Sequence, residues 1–126
     1  MGSNIVIEIE PNTKPRMTRA DKWKKRPCVL QYRAFCDELR LHNVRIEPNE
    51  MHIIFHISMP DSWSEKKKLS FDKTPHQNKK DIDNLLKAIL DCLLDEDKYI
   101  YDIRASKYWS RKGKIEFRYG KDLQAQ

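Results

Sequence analysis

Lys79-Lys80-Asp81-Ile82-Asp83-Asn84-Leu85-Leu86-Lys87 changes character midway, from a charged run to the opening of an amphipathic helix. The apolar residues continue as Leu85, Leu86, Ile89, Leu90, Leu93 and Leu94, at i, i+1, i+4, i+5, i+8 and i+9, a stripe that buries one helical face. Asp83, Lys87 and Asp91 follow one another at intervals of four on the opposite side, and Lys87 is expected to lean back over the turn carrying Asp83. An i, i+4 ion pair worth about 0.2–0.5 kcal/mol accounts for that spacing equally well. The two carboxylates stand where a helix N-terminus tolerates and orients negative charge, which is a plausible metal seat. Asp at that place is more often an N-cap whose side chain accepts an orphan backbone N–H, and spacing alone favours the cap.

A helix with one apolar face needs a surface to pack on, and the flanking segments supply strands. Residues 51–59 alternate, with Met51, Ile53, Phe55, Ile57 and Met59 on one face and His52, Ile54, His56 and Ser58 on the other. Residues 99–109 and 114–119 read as two strands joined through Ser110-Arg111-Lys112-Gly113. Residues 5–10 alternate as a half-buried strand, and residues 27–41 carry enough apolar side chains for a first helix with Pro27 in its first turn. The expected architecture is α/β: a single domain over residues 1–126, with two main helices packed on a mixed sheet in the order β-α-β-α-β-β. Met1-Gly2-Ser3 has the form of a cloning remnant. Residues 60–80 show no sustained period and read as a long loop, of a length that is usually functional or disordered. Trp63 and Phe71 within it fit substrate gripping and anchoring to the core equally.

The 126 residues are 39% hydrophobic and 35% charged, with net charge +6 and a pI near 9.2. That balance suits one modest core and an anionic partner, either nucleic acid or a membrane surface. No stretch approaches the ~20 apolar residues of a membrane helix and no signal peptide opens the chain, so a cytoplasmic protein with no membrane partner is expected. Cys28, Cys36 and Cys92 show no Cys-x-x-Cys spacing, which suggests reduced core thiols in a reducing compartment. His42, His52, His56 and His76 are scattered, and no zinc site is expected.

Two basic tracts flank the central motif. Lys14, Arg16, Arg19, Lys22, Lys24, Lys25 and Arg26 surround Trp23 against a single Asp21, and Lys66, Lys67 and Lys68 lie in the long loop that leads through Lys79 and Lys80 to Asp81. Solvated charge is the bland reading. A surface that tracks phosphates is the other, and an acidic site for it to feed favours it.

Together these residues resemble the RusA-like Holliday junction resolvases, crossover-junction endodeoxyribonucleases common in phages and prophages. The family's signature is Asp-x-Asp-Asn, a Lys four residues after the second Asp, a helix, and a later acidic position. Asp81, Asp83, Asn84 and Lys87 match it in place, and Asp102 follows Asp81 by 21 residues (102 minus 81), where the family's third catalytic Asp falls. Pro75-His76-Gln77 and Lys14-Pro15-Arg16 look like the phage branch, and the similarity runs over about residues 5–119. Many members carry two adjacent acids where this chain has Tyr101-Asp102; Asp102 holds the register of the third Asp.

The resemblance implies an α/β fold, a homodimer in a bacterial host, phage or prophage encoding, and action on branched DNA. It further implies Mg²⁺, with Mn²⁺ as a substitute, held by Asp81, Asp83 and Asp102. Lys87 would orient a carboxylate or stabilise transition-state charge, with Asn84 and Asp91 in support. Two rivals stay open: a nonenzymatic basic DNA-binding module, and a metal nuclease acting on flaps or forks.

Overall fold

The structure is a computed structural model and describes residues 4–15, 26–46, 51–94 and 98–120. Its elements are β1 (Asn4–Ile7), α1 (Pro27–Leu41), β2 (Met51–Ser58), α2 (Glu65–Phe71), α3 (Ile82–Leu93), β3 (Arg104–Ser110) and β4 (Lys114–Tyr119). The strands form one sheet in the order β1-β4-β2-β3, with β2 and β3 parallel and the other pairs antiparallel. This is the mixed α/β arrangement that the alternation of strands and helices predicts.

Helix α1 begins with Pro27 in its first turn and buries Val29, Tyr32, Phe35, Cys36 and Leu39. It stops at Asn43, which takes the left-handed conformation (φ 55°) that Asn tolerates better than most residues. Helix α3 buries Leu85, Ala88, Ile89, Leu90 and Cys92. Both helices share a core with Ile7, Ile53, Phe55, Ile57, Ile115, Phe117 and Tyr119, so they cover the same face of the sheet. The other face carries polar contacts. His52 Nε2 lies 2.9 Å from Ser106 Oγ, His56 Nε2 lies 3.3 Å from Glu116 Oε1, and Arg118 Nε donates to Glu116 Oε2 at 2.7 Å.

Four sequence expectations change. The loop expected over residues 60–80 contains α2, a helix too short to show a period; Ser64 caps it by accepting from the Lys67 N–H at 3.2 Å. The strand expected from residue 99 starts at Arg104, which pairs with His52 of β2. Strand β1 ends at Ile7, three residues short of the expected limit, where a tight turn bonds the Ile9 N–H to the Ile7 carbonyl at 2.9 Å. The cysteines differ most: Cys36 and Cys92, 56 residues apart, form a disulfide between α1 and α3 with Cα atoms 5.1 Å apart, while Cys28 is exposed. Local spacing rules carry no sign of that pair, because only the packing of the two helices brings it together.

Parallel pairing forces the chain to cross over between the end of β2 and the start of β3. On the way, residues 73–76 add to the outer edge of β3: the Lys73 N–H bonds the Trp109 carbonyl at 2.9 Å, the Trp109 N–H bonds Thr74 at 2.9 Å, and the His76 N–H bonds Lys107 at 3.1 Å. That pairing covers an edge that would otherwise present open backbone groups. Register places Lys107 beside Phe55, on the face turned to the helices. Its ammonium donates to the carbonyls of Asn78 at 3.1 Å and Lys80 at 3.0 Å, so β3 holds the residues that lead into α3.

Lys80 is fixed from a second side. Its backbone has φ 82°, an uncommon and strained value for a residue with a Cβ. Its ammonium donates to the Pro11 carbonyl at 3.1 Å and lies 3.6 Å from Glu10 Oε2. Glu10 Oε2 also accepts from the Ser58 N–H at 3.2 Å. Glu10 can approach this closely because residue 113 is glycine; a Cβ there would stand 2.7 Å from the Glu10 Cα.

Two outcomes are expected. Lys107→Met leaves two carbonyls without their charged donor, so it should destabilise the protein by about 1–3 kcal/mol in urea unfolding. It should also speed hydrogen exchange at Leu85, whose N–H bonds the Asp81 carbonyl. An unchanged Leu85 exchange rate would remove Lys107 as the anchor. The second outcome concerns pH. Burial, reinforced by nearby cations, holds the proton affinity of His52, His56 and His76 below the ordinary histidine value of 6.5. The unfolded chain therefore takes up protons first as pH falls, so stability is full above about pH 6.5 and declines below it. Melting temperature should be flat near pH 7.5 and drop towards pH 5.5, with a shallower drop in His52→Gln.

Candidate active site

Asp81 occupies the N-cap position of α3 (φ −61°, ψ 140°), as the capping alternative requires, yet its side chain makes no cap hydrogen bond. Asp83 lies in the first turn of the same helix. Both are exposed, and among the described residues neither carboxylate takes a hydrogen bond or an ion pair. Two carboxylates thus project from one helix terminus with their oxygens uncommitted, directly after the strained Lys80. Asn84 is exposed in the same turn.

Lys87 does not reach back to Asp83. Its ammonium lies 3.6 Å from Asp91 Oδ1, one turn onwards. Asp91 meets a second cation as well: Lys14 donates to its Oδ2 at 2.8 Å, and the Asp91 side chain is only 22% exposed. Asp91 is therefore a fixed negative point, and its hydrogen bond raises the proton affinity of Lys14 above the usual lysine value. Lys14, expected to face DNA, is paired with Asp91 with its side chain 33% exposed. Asp91 is correspondingly a support for Lys87 and for the segment carrying Lys14.

Asp102 is exposed and stands just ahead of β3. Lys107, further along the same chain by about 16 Å at strand rise, is the residue that touches the carbonyl before Asp81. The structure places Asp81 and Asp83 at one terminus of α3 and Asp102 on the separate segment that leads into β3. Among the described residues, no three His, Cys, Asp or Glu side chains converge as a metal-binding group.

The expected DNA-facing cations divide. Lys66 and Lys67 are exposed on α2, and Lys68 is half-buried. Lys67 sits 4.2 Å from the Trp63 ring centroid, a cation–π contact. Lys79 is exposed, whereas Lys80 is an anchor of the backbone. Arg26 is exposed at the N-cap of α1. Arg16, Arg19, Lys22, Lys24 and Lys25 lie outside the described residues, as do Asp21 and Trp23.

Sequence reasoning missed Lys107 and the aromatic ladder beside it. Trp63 packs on Phe71 at 5.1 Å and on Trp109 at 4.9 Å between centroids, and His76 packs on Trp109 at 4.3 Å. Trp63 therefore anchors the residues before α2 to β3, which resolves the choice between gripping and anchoring for that residue. The available signal was alternation: Ala105, Lys107 and Trp109 share one face of the strand, and a lysine among residues turned to the core asks for an acceptor. His52 and His56, on the opposite face, pair with Ser106 and Glu116 and form no zinc site among the described residues. Burial works against charge on Glu116, but hydrogen bonds from Arg118 and His56 prevail and lower its pKa.

Among the described residues, no helix is long and apolar enough to cross a membrane. No curated protein and no solved structure matches the chain. A family comparison does: residues 7–118 match endodeoxyribonuclease RusA, a span that holds every element from α1 to β3 and all three acids. With that match over nearly its whole length, the chain belongs to the endodeoxyribonuclease RusA family.

Proposed function

We propose that this protein is a Mg²⁺-dependent endodeoxyribonuclease that resolves Holliday junctions by paired nicks in DNA recombination and repair. The observation that carries the reading is Asp81: it stands at a helix N-cap without spending its carboxylate there, next to an equally uncommitted Asp83. Family membership supplies the reaction class, cleavage of DNA.

Exposed carboxylates without partners suit a hard cation that prefers oxygen ligands and keeps several waters. Asp81 and Asp83 would hold such an ion, with Asp102 as the third ligand and Mn²⁺ as a substitute. When bound, the metal activates water and relieves charge on the leaving oxygen of a phosphodiester. The chain's own contribution is placement. Lys107 and Glu10 hold Lys80, Lys80 sets the direction from which Asp81 enters α3, and Lys87, which pairs with Asp91 in this structure, would come over the acids by swinging one turn back towards Asp83. From there Lys87 can stabilise charge that develops on the phosphate.

A homodimer belongs to the same proposal. A four-way junction is roughly two-fold symmetric, and a two-fold pair of protomers offers one site to each of two strands. The setting proposed is the cytoplasm of a bacterial host, with the protein encoded by phage or prophage.

Asp81→Asn, Asp83→Asn and Asp102→Asn should each abolish nicking of a synthetic four-way junction in Mg²⁺ while leaving binding intact or tighter, since each removes a charge that repels phosphate. Wild-type nicking by Asp102→Asn would remove it from the ligand set. Lys87→Met should cost roughly 10²- to 10³-fold in rate and little in affinity; equal losses would make Lys87 a binding residue only. Replacing Lys66, Lys67 and Lys68 together with Ala should weaken binding to every DNA and lower the slope of log affinity against log salt by up to about 2.7. An unchanged slope would show these lysines to be solvated charge.

A further inference from the structure

The face of the sheet opposite α1 and α3 is a lattice of polar side chains set by strand pairing. Register places Arg104, His52 and Arg118 in one row across β3, β2 and β4, and Tyr108, His56 and Lys114 in a parallel row four residues along. Adjacent strands lie about 4.8 Å apart, so the backbones of the two arginines are separated by roughly 10 Å. His52, His56, Arg104 and Arg118 line a depression of about 260 Å³, to which the edge segment adds Lys73.

Charge on this face is one-sided. Arg104 and Lys73 are exposed and Lys114 is half-buried, and among the described residues none of the three side chains has a hydrogen bond or an ion pair. Glu116 is the acid between the two rows, and its charge is already met by Arg118 at 2.7 Å and by His56 at 3.3 Å. Arg118 makes that contact through Nε, which leaves its terminal nitrogens for another acceptor. Burial first, and then the charges of Arg104 and Arg118, hold His52 below the ordinary histidine value, so the positive field reaches down to the sheet. Position ties this surface to the acids. Arg104 stands two residues after Asp102, roughly 7 Å at full extension, and Lys73 stands eight residues before Asp81, at most about 29 Å of chain. Each DNA strand carries a phosphate about every 3.4 Å of helix axis, so one arm held at the acids has several phosphates within that span.

We propose that this face of the sheet is a second DNA surface, where Lys73, Arg104, Lys114 and the terminal nitrogens of Arg118 take backbone phosphates of a junction arm that continues past Asp102. The proposal rests on the nuclease reading and adds to it a surface on the side of the sheet away from α3. A guanidinium fork matches the oxygens of a phosphate, and cations spaced across several strands match a repeating anion. Contacts of this kind fix the register and direction of the arm and carry no base information. The surface therefore contributes affinity and orientation to every junction alike, whatever its sequence.

The test uses the full chain and a synthetic four-way junction, with binding measured over a salt series without divalent cation. Changing Lys73, Arg104 and Lys114 together to Ala should lower the slope of log affinity against log salt by up to about 2.7, and Arg104→Ala alone by about 0.9. Arg33→Ala, which removes an exposed charge from α1, should leave the slope unchanged. A second arm places one uncharged methylphosphonate linkage at each position outward from the scissile phosphate. Wild-type affinity should fall several-fold at two or three of these linkages, and the triple variant should be indifferent to them. An unchanged slope in the triple variant, or linkage effects equal in both proteins, would overturn the proposal. So would loss of the dimer in the triple variant at constant slope, which would assign this face to a second copy of the chain. Neither arm needs cleavage: a wild type that binds but does not nick in Mg²⁺ removes the nuclease reading alone, and a triple variant that keeps the full slope removes the surface alone.

Discussion

Parallel pairing of β2 with β3 is the constraint from which the rest of this structure follows. A short turn links β3 to β4, which lie on either side of β2, but parallel neighbours require the chain to return across a face of the sheet. The return path here carries α2, the edge segment at residues 73–76 and α3. Because α3 must bury its apolar side against β2, β3 and β4, its N-terminus and the two acids on it come to lie beside the middle of β3 and the end of β2. The placement of these acids is thus a consequence of strand order.

The site is held through backbone atoms rather than through the acids. Lys107 grips the carbonyls of Asn78 and Lys80, and Glu10 pairs with the Lys80 ammonium while also accepting from the Ser58 N–H. Such contacts can maintain a left-handed lysine at a cost of order 1–3 kcal/mol. Among the described residues, Asp81 and Asp83 have no partners of their own. A carboxylate committed to a cap or to an arginine would have to be released before it could take a cation, and these two need no release. The balance at Asp91 is the reverse. Its charge is met by Lys14 and by Lys87, so it stabilises the packing of the 11–15 segment on α3 and holds the Lys87 ammonium in place.

Much of this was legible in the sequence. Period-2 alternation marked β2 and β4, a 3.6-residue stripe marked α3, and Pro27 marked the start of α1, since each is a repeated local preference that one face of an element enforces. The Asp81, Asp83, Asn84, Lys87 and Asp102 pattern was enough to indicate the family, because its spacing is itself sequence information. Other features depend on residues far apart in the chain and had no local sign. The Cys36–Cys92 bond, the Lys107 contacts to residues 78 and 80, and the Lys14 pairing with Asp91 arise only when α1, α3 and β3 pack together. Helix α2 was too short to show a period, and the start of β3 depends on its pairing with β2, a contact between residues far apart in the chain. The direction taken by Lys87 belongs with these: helical geometry allowed it either neighbour, and only the structure shows that it pairs with Asp91, beside Lys14, rather than with Asp83.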